Sequence, residues 1–185
     1  MAPGPPVTRG TTSTARTSTN GTSTGSLRGP GLLLGVGMGG FVDGILLHQI
    51  LQWHQMLSTT DKWGEATVRD LEVNVMADGI FHAATWLFVA AGVAALWRVG
   101  GQGTWRSGSR QLLGWMLVGW GAFNLVEGAV NHHLLEIHRV RPGAATPIAW
   151  DIAFLAFGAA LIVGGWLLQR GSPPRRDPGG HSRTI

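Results

Sequence analysis

Three acid–Gly–His segments lie inside apolar stretches of this chain: Asp43-Gly44-Ile45-Leu46-Leu47-His48, Asp78-Gly79-Ile80-Phe81-His82 and Glu127-Gly128-Ala129-Val130-Asn131-His132. Imidazole nitrogens and carboxylate oxygens are the donors that zinc, iron and copper accept. In a hydrocarbon setting such groups are costly unless they are paired or bound to something. Three copies therefore point to one shared polar centre rather than three separate accidents of packing.

The elements that must position these groups are membrane helices. Of 185 residues only 13% are charged and 44% are hydrophobic, against about 25% charged in soluble domains. Four apolar segments run over about 31–57, 73–97, 111–135 and 147–169, each exceeding the roughly 20 residues that cross a bilayer. They are continuous rather than alternating, which favours helices over barrel strands. The expected fold is all-α, a polytopic membrane four-helix bundle over residues 31–170. Frequent glycines within the spans suit close helix approach. Residues 1–30, rich in Thr, Ser, Gly and Pro, are expected to be a disordered tail, and 171–185 a basic tail.

Ten of the fourteen Lys and Arg residues fall in the two tails and the loop between helices 2 and 3. The positive-inside rule then expects both termini in the cytoplasm and the loops 58–72 and 136–146 on the outer side. This arrangement suits a bacterial cytoplasmic membrane. Basic residues confined to flanks and short loops also argue against nucleic-acid binding.

Counting along each span at 1.5 Å per residue brings the polar groups to one level. Asp43 lies about 18 Å and His48 about 25 Å above the inner boundary, whereas Asp78 lies about 7 Å, His82 about 13 Å and Asp151 about 6 Å below the outer one. All four helices thus place an acid in the outer half. Rotation is less determinate. Asp78 and His82 are i,i+4 and share a face. Asp43 to His48 and Glu127 to His132 are i,i+5, about 140° apart on a regular helix; either they flank the bundle axis, or a π-bulge near Gly44 or Gly128 brings them together. The run Gly37-x-Gly39-Gly40-Phe41-Val42-Asp43-Gly44 also resembles Gly119-x-Gly121-Ala122-Phe123-x-x-Val126-Glu127-Gly128, as a duplicated helical hairpin would produce.

The expected ligands are His48, His82 and His132, with Asp78 and Glu127 as ligands or supporting acids. Asp43, Asn124, Asn131 and Asp151 are expected to support them, with acceptors orienting imidazoles through their second N–H. His54, His133 and His138, at or beyond the outer boundary, are read as solvated interfacial residues and Met56 as ordinary core filler, or the four together as an outer access site for a cation. The expected cofactor is a transition metal: copper, zinc or iron. Haem is disfavoured because it wants a larger cavity and paired axial imidazoles. The competing reading is a metal-free network locking the helices together. With no cysteine there is no disulfide framework or thiolate site. No G-x-S-x-G, H-E-x-x-H or Walker sequence occurs, so whether the chain is an enzyme stays open.

The run from Gly35 to His54, with Asp78-Gly-Ile-Phe-His82 and Asn124-Leu-Val-Glu-Gly-Ala-Val-Asn-His-His133, resembles the bacterial four-span membrane family called domain of unknown function 2243. The resemblance covers about 31–170. Many members are encoded beside a membrane factor for cytochrome oxidase copper-centre assembly. The resemblance therefore implies copper as the favoured ion and respiratory-oxidase assembly proteins as partners, in addition to the lipid bilayer.

Overall fold

The computed structural model describes residue 1 and residues 26–60, 62–63, 66–101 and 108–170. The expected tails over 1–30 and 171–185 lie largely outside the described residues; from the first of them, residues 28–30 already belong to a helix.

Each apolar stretch forms a helix. α1 spans Arg28–Phe41 and continues as a π-helix over Val42–Ile50; α2 spans Val68–Gly100; α3 spans Ser109–Glu127 and continues as a π-helix over Gly128–Leu134; α4 spans Pro147–Arg170. All four are long and apolar enough to cross a membrane. Local chemistry sets their starts. Thr67 accepts from the Asp70 N–H while the Asp70 carboxylate accepts from the Thr67 N–H, a reciprocal cap on α2. Pro147 opens α4, where its missing N–H costs nothing.

The packing order is α2, α1, α3, α4. α1 and α3 run side by side in the same direction, and α2 and α4 run antiparallel to them on either flank without meeting each other. Glycine makes the central contact. A Cβ on Gly35 would collide with the Met116 carbonyl beside Gly119, and one on Gly119 with the Leu32 carbonyl. The backbones are thus in direct contact there, as in small-residue membrane interfaces. The flanking helices turn Ile80, Trp86, Leu87, Ile152 and Leu167 outward, an apolar surface that suits lipid.

The two hairpins, α1–α2 and α3–α4, correspond residue for residue. In α1 and α3 the matching positions stand 84 apart: Gly35 with Gly119, Asp43 with Glu127, Gly44 with Gly128, His48 with His132 and His54 with His138. In α2 and α4 they stand 73 apart: Asp78 with Asp151, Phe81 with Phe154 and Gly92 with Gly165. Hydrogen bonds repeat on the same spacing. Leu51 N–H donates to Leu46 O and Leu135 N–H to Val130 O, at 2.8 and 2.7 Å; Trp53 N–H donates to Leu47 O and Ile137 N–H to Asn131 O, at 3.0 and 3.1 Å. The register differs by two residues from the one that the glycine pattern suggests at the start of the motif, because Gly35 rather than Gly37 faces Gly119.

Helix 1 ends at Ile50, seven residues before the end of its apolar pattern. Gln52 and Glu136, another matched pair, both adopt φ of 50°, the left-handed region that ends a helix. The chain then turns back over the bundle end instead of running on into the outer loop. This places His54 and His138 inside the protein.

Candidate metal centre

The π-helices settle the rotation that a regular helix leaves open. Widening the turn to i→i+5 places residues five apart one above the other. His48 Nε2 comes within 3.4 Å of Asp43 Oδ2, and His132 Nε2 within 3.1 Å of Glu127 Oε1. Neither approach has hydrogen-bond geometry, because both nitrogens remain without a hydrogen-bond partner among the described residues.

Four imidazoles converge at this end of the bundle: His48 and His132 from the π-helices, His54 and His138 from the returning loops. All four are at most 1% exposed. The His54 and His138 rings stack at 4.7 Å with 7° between their planes. His48 lies 4.5 Å from His54 and His132 lies 4.9 Å from His138, both edge-on. In two overlapping groups, His48–His54–His138 and Glu127–His132–His138, one donor atom per residue lies within 4.8 Å of the others. Neighbouring ligands on one ion with bonds of about 2.1 Å stand roughly 3.0–3.4 Å apart, so the donors would have to draw together to close on a single ion.

The outward ring nitrogens decide what the inward ones can do. His48 Nδ1 meets Asp78 Oδ1 at 3.0 Å. His54 Nδ1 donates to Val140 O at 2.8 Å, and His138 Nδ1 to Met56 O at 3.1 Å. His132 Nδ1 faces Asp151 Oδ1 at a longer 3.7 Å. Three of the rings thus have an acceptor bonded behind them, the usual support of a metal-ligating histidine, whereas His132 Nδ1 has Asp151 nearby but no hydrogen-bond partner among the described residues. The Nε2 atoms of His48, His54 and His132 have no hydrogen-bond partner among the described residues, and neither has Glu127 Oε2. Burial, with the neighbouring His138 and His48, pushes the His54 imidazole from 6.5 down to about 2. Its lone pair is therefore free for a cation at ordinary pH.

Glu127 is the acid at the heart of the cluster. Its Oε1 lies 2.7 Å from His138 Nε2 and 3.1 Å from His132 Nε2, and accepts from Asn131 Nδ2 at 3.4 Å. Asp78 sits behind the centre and accepts from the Met56 N–H at 2.9 Å and from Gln49 Nε2 at 3.2 Å, besides facing His48. Asp151 has the matching position and accepts from the Val140 N–H at 3.0 Å and from Arg139 Nη1 at 2.9 Å.

Of the sequence-derived ligands, the structure brings His48, His132 and Glu127 together, and Asp78 reaches the centre through His48 and, by way of the Met56 backbone, through His138. His82 stands apart: its Nδ1 donates to the Asp78 carbonyl of its own helix at 2.7 Å, and its Nε2 points at Gly44. The matching residue in the other hairpin is Leu155, which packs on Gly128 in the same way. Asp43 and Asp151 are buried beside imidazoles without a hydrogen bond to them, while Asn124 is buried on the wall of a neighbouring cavity. Of the outer access group, His54 and His138 are in the centre, Met56 contributes its backbone, and His133 is exposed. A Leu at position 82 should therefore leave metal content unchanged; elemental analysis of His82→Leu that showed a loss would put His82 back among the ligands.

The family described as "Predicted membrane protein (DUF2243)" matches residues 30–172. No curated protein and no solved structure matches the chain.

Proposed function

The chain belongs to the DUF2243 family of membrane proteins, and we propose that it is a membrane-embedded transition-metal protein. His48, His54, His132 and His138 hold the ion together with Glu127. The observation that carries this reading is the set of buried inward-facing Nε2 atoms, three of them without a partner, on rings of which His48, His54 and His138 are each held from behind by an acceptor at Nδ1. Leaving such atoms unsatisfied costs about 1–3 kcal/mol each, and one bound cation relieves all of them.

A centre of imidazoles and carboxylate without thiolate suits Cu(II), Zn(II) or Fe(II), and copper stands highest in affinity for nitrogen donors. The family's association with oxidase copper-centre assembly favours the same ion. The reading that follows is copper handling at the outer face of a bacterial cytoplasmic membrane, with the arginine-bearing end and both termini inside, in company with oxidase-assembly proteins. A second reading, a metalloenzyme activating water or dioxygen, draws support from a cavity of about 370 Å³ that adjoins Asp43, since such an enzyme needs space for a substrate. Elemental analysis after purification in mild detergent tests the proposal. Stoichiometric metal is expected, and protein that stays substoichiometric after incubation with Cu(II), Zn(II) or Fe(II) overturns it.

A further inference from the structure

The two hairpins match closely around the imidazoles and diverge sharply on one flank. Between α1, α3 and α4 lies the cavity of about 370 Å³, a size suited to a small ligand. Its walls carry the rings of Trp53, Trp120, Trp150, Phe154 and Phe157. Their counterparts in the other hairpin are Ile137, Val36, Ala77, Phe81 and Ala84. Four of five aromatic walls therefore exist on one side only. Gly39 borders the cavity, whereas its counterpart Phe123 packs against Phe81 at 6.1 Å on the α2 flank. The repeat thus carries a ring where its partner carries open space, and open space lined with rings where its partner carries small side chains. Leu46 and Phe157 are exposed on their helices, so the cavity gives onto the face that meets lipid.

The polar groups bordering this aromatic chamber are Asp43 and Asn124, 4% and 2% exposed. Glu127, the counterpart of Asp43, lies against two imidazoles and the Asn131 amide. Asp43 has only the longer approach to His48, which leaves its carboxylate with acceptor capacity on the cavity side. A carboxyl group at the end of an apolar chamber offers an oxygen acceptor to a hydroxyl donor. Flat aromatic walls favour a ring over an acyl chain.

We propose that this cavity binds a membrane-soluble phenolic or hydroquinone-type molecule, its ring between the tryptophans and its hydroxyl donating to Asp43. The site goes beyond the metal reading and stands without it, since none of the four imidazoles nor Glu127 lines the cavity.

Three probes of matched size separate the chemistry: 4-hexylphenol, hexylbenzene and 4-hexylbenzoate. Titrations follow tryptophan fluorescence of the full chain in mild detergent, with and without prior metal chelation. The phenol is expected to bind at least tenfold tighter than hexylbenzene, and the benzoate most weakly, in both preparations. Asp43→Leu, which removes the acceptor, should narrow the preference for the phenol over hexylbenzene. Ala153→Phe, which fills the cavity from α4 away from the imidazoles, should weaken both phenol and hexylbenzene at least tenfold while circular dichroism and metal content stay unchanged. Equal affinity for all three probes, or quenching that Ala153→Phe does not alter in a folded protein, means partitioning into the micelle and overturns the proposal. Binding that persists in chelated protein supports the cavity even where metal analysis fails.

Discussion

Replacing His138 with alanine will reduce bound metal from stoichiometric to below about a tenth of an equivalent, the largest effect expected of any single substitution. His138 belongs to both donor groups, and no other residue does. Its ring is fully buried, stacks on His54, and presents Nε2 to Glu127 at 2.7 Å. Truncation removes one donor from each group and strips Glu127 of its closest partner. The lost buried hydrogen bond to a charged group costs about 1.5–3 kcal/mol of stability, which the helix interfaces at Gly35 and Gly119 are placed to withstand. Helical content by circular dichroism should therefore persist while metal is lost. His133→Ala is the control. Its side chain is exposed one residue from His132, and its removal should leave metal content unchanged. Full metal occupancy in His138→Ala would mean that the ion, if any, sits elsewhere.

The architecture was largely legible in the sequence because a bilayer imposes helices on apolar runs of this length. The gathering of Asp43, His48, Asp78, Glu127, His132 and Asp151 at one end was legible too, since depth follows from counting residues along antiparallel spans. Two things were not. Periodicity cannot distinguish a helix that continues from one that turns back, so 51–57 reads as membrane helix and His54 as an interfacial side chain. The left-handed residues Gln52 and Glu136 reverse the chain there, and neither Gln nor Glu announces that conformation. The second was the partner of Asp78. Its i,i+4 relation to His82 is real, but His82 spends Nδ1 on its own helix, and the side chain of Asp78 turns to His48. A signal for His54 and His138 did exist: acid, Gly, His and His recur at one constant spacing, 43-44-48-54 and 127-128-132-138. A repeat that preserves residues beyond the apparent end of a helix marks those residues as part of the site.

That repeat also explains why Asp78→Ala should weaken metal binding by about 100-fold, the top of the range for groups that orient ligands. One carboxylate controls imidazoles from both hairpins. Asp78 Oδ1 faces His48 Nδ1 directly and also accepts from the Met56 N–H, and the Met56 carbonyl in turn accepts from His138 Nδ1. Asp151 occupies the mirror position, holding the Val140 N–H while the Val140 carbonyl accepts from His54 Nδ1. Each flanking helix therefore pins a loop whose carbonyl aims the other hairpin's imidazole. Alanine at 78 frees the returning loop and leaves two of four ligands unaimed. Asparagine should be milder, about tenfold or less, because its amide oxygen still accepts from His48 and Met56, and Gln49 can turn its own amide to match. Competition against a chelator of known affinity separates the cases. Equal losses in Asp78→Ala and Asp78→Asn would mean that the negative charge of Asp78, rather than its hold on the loop, governs the centre.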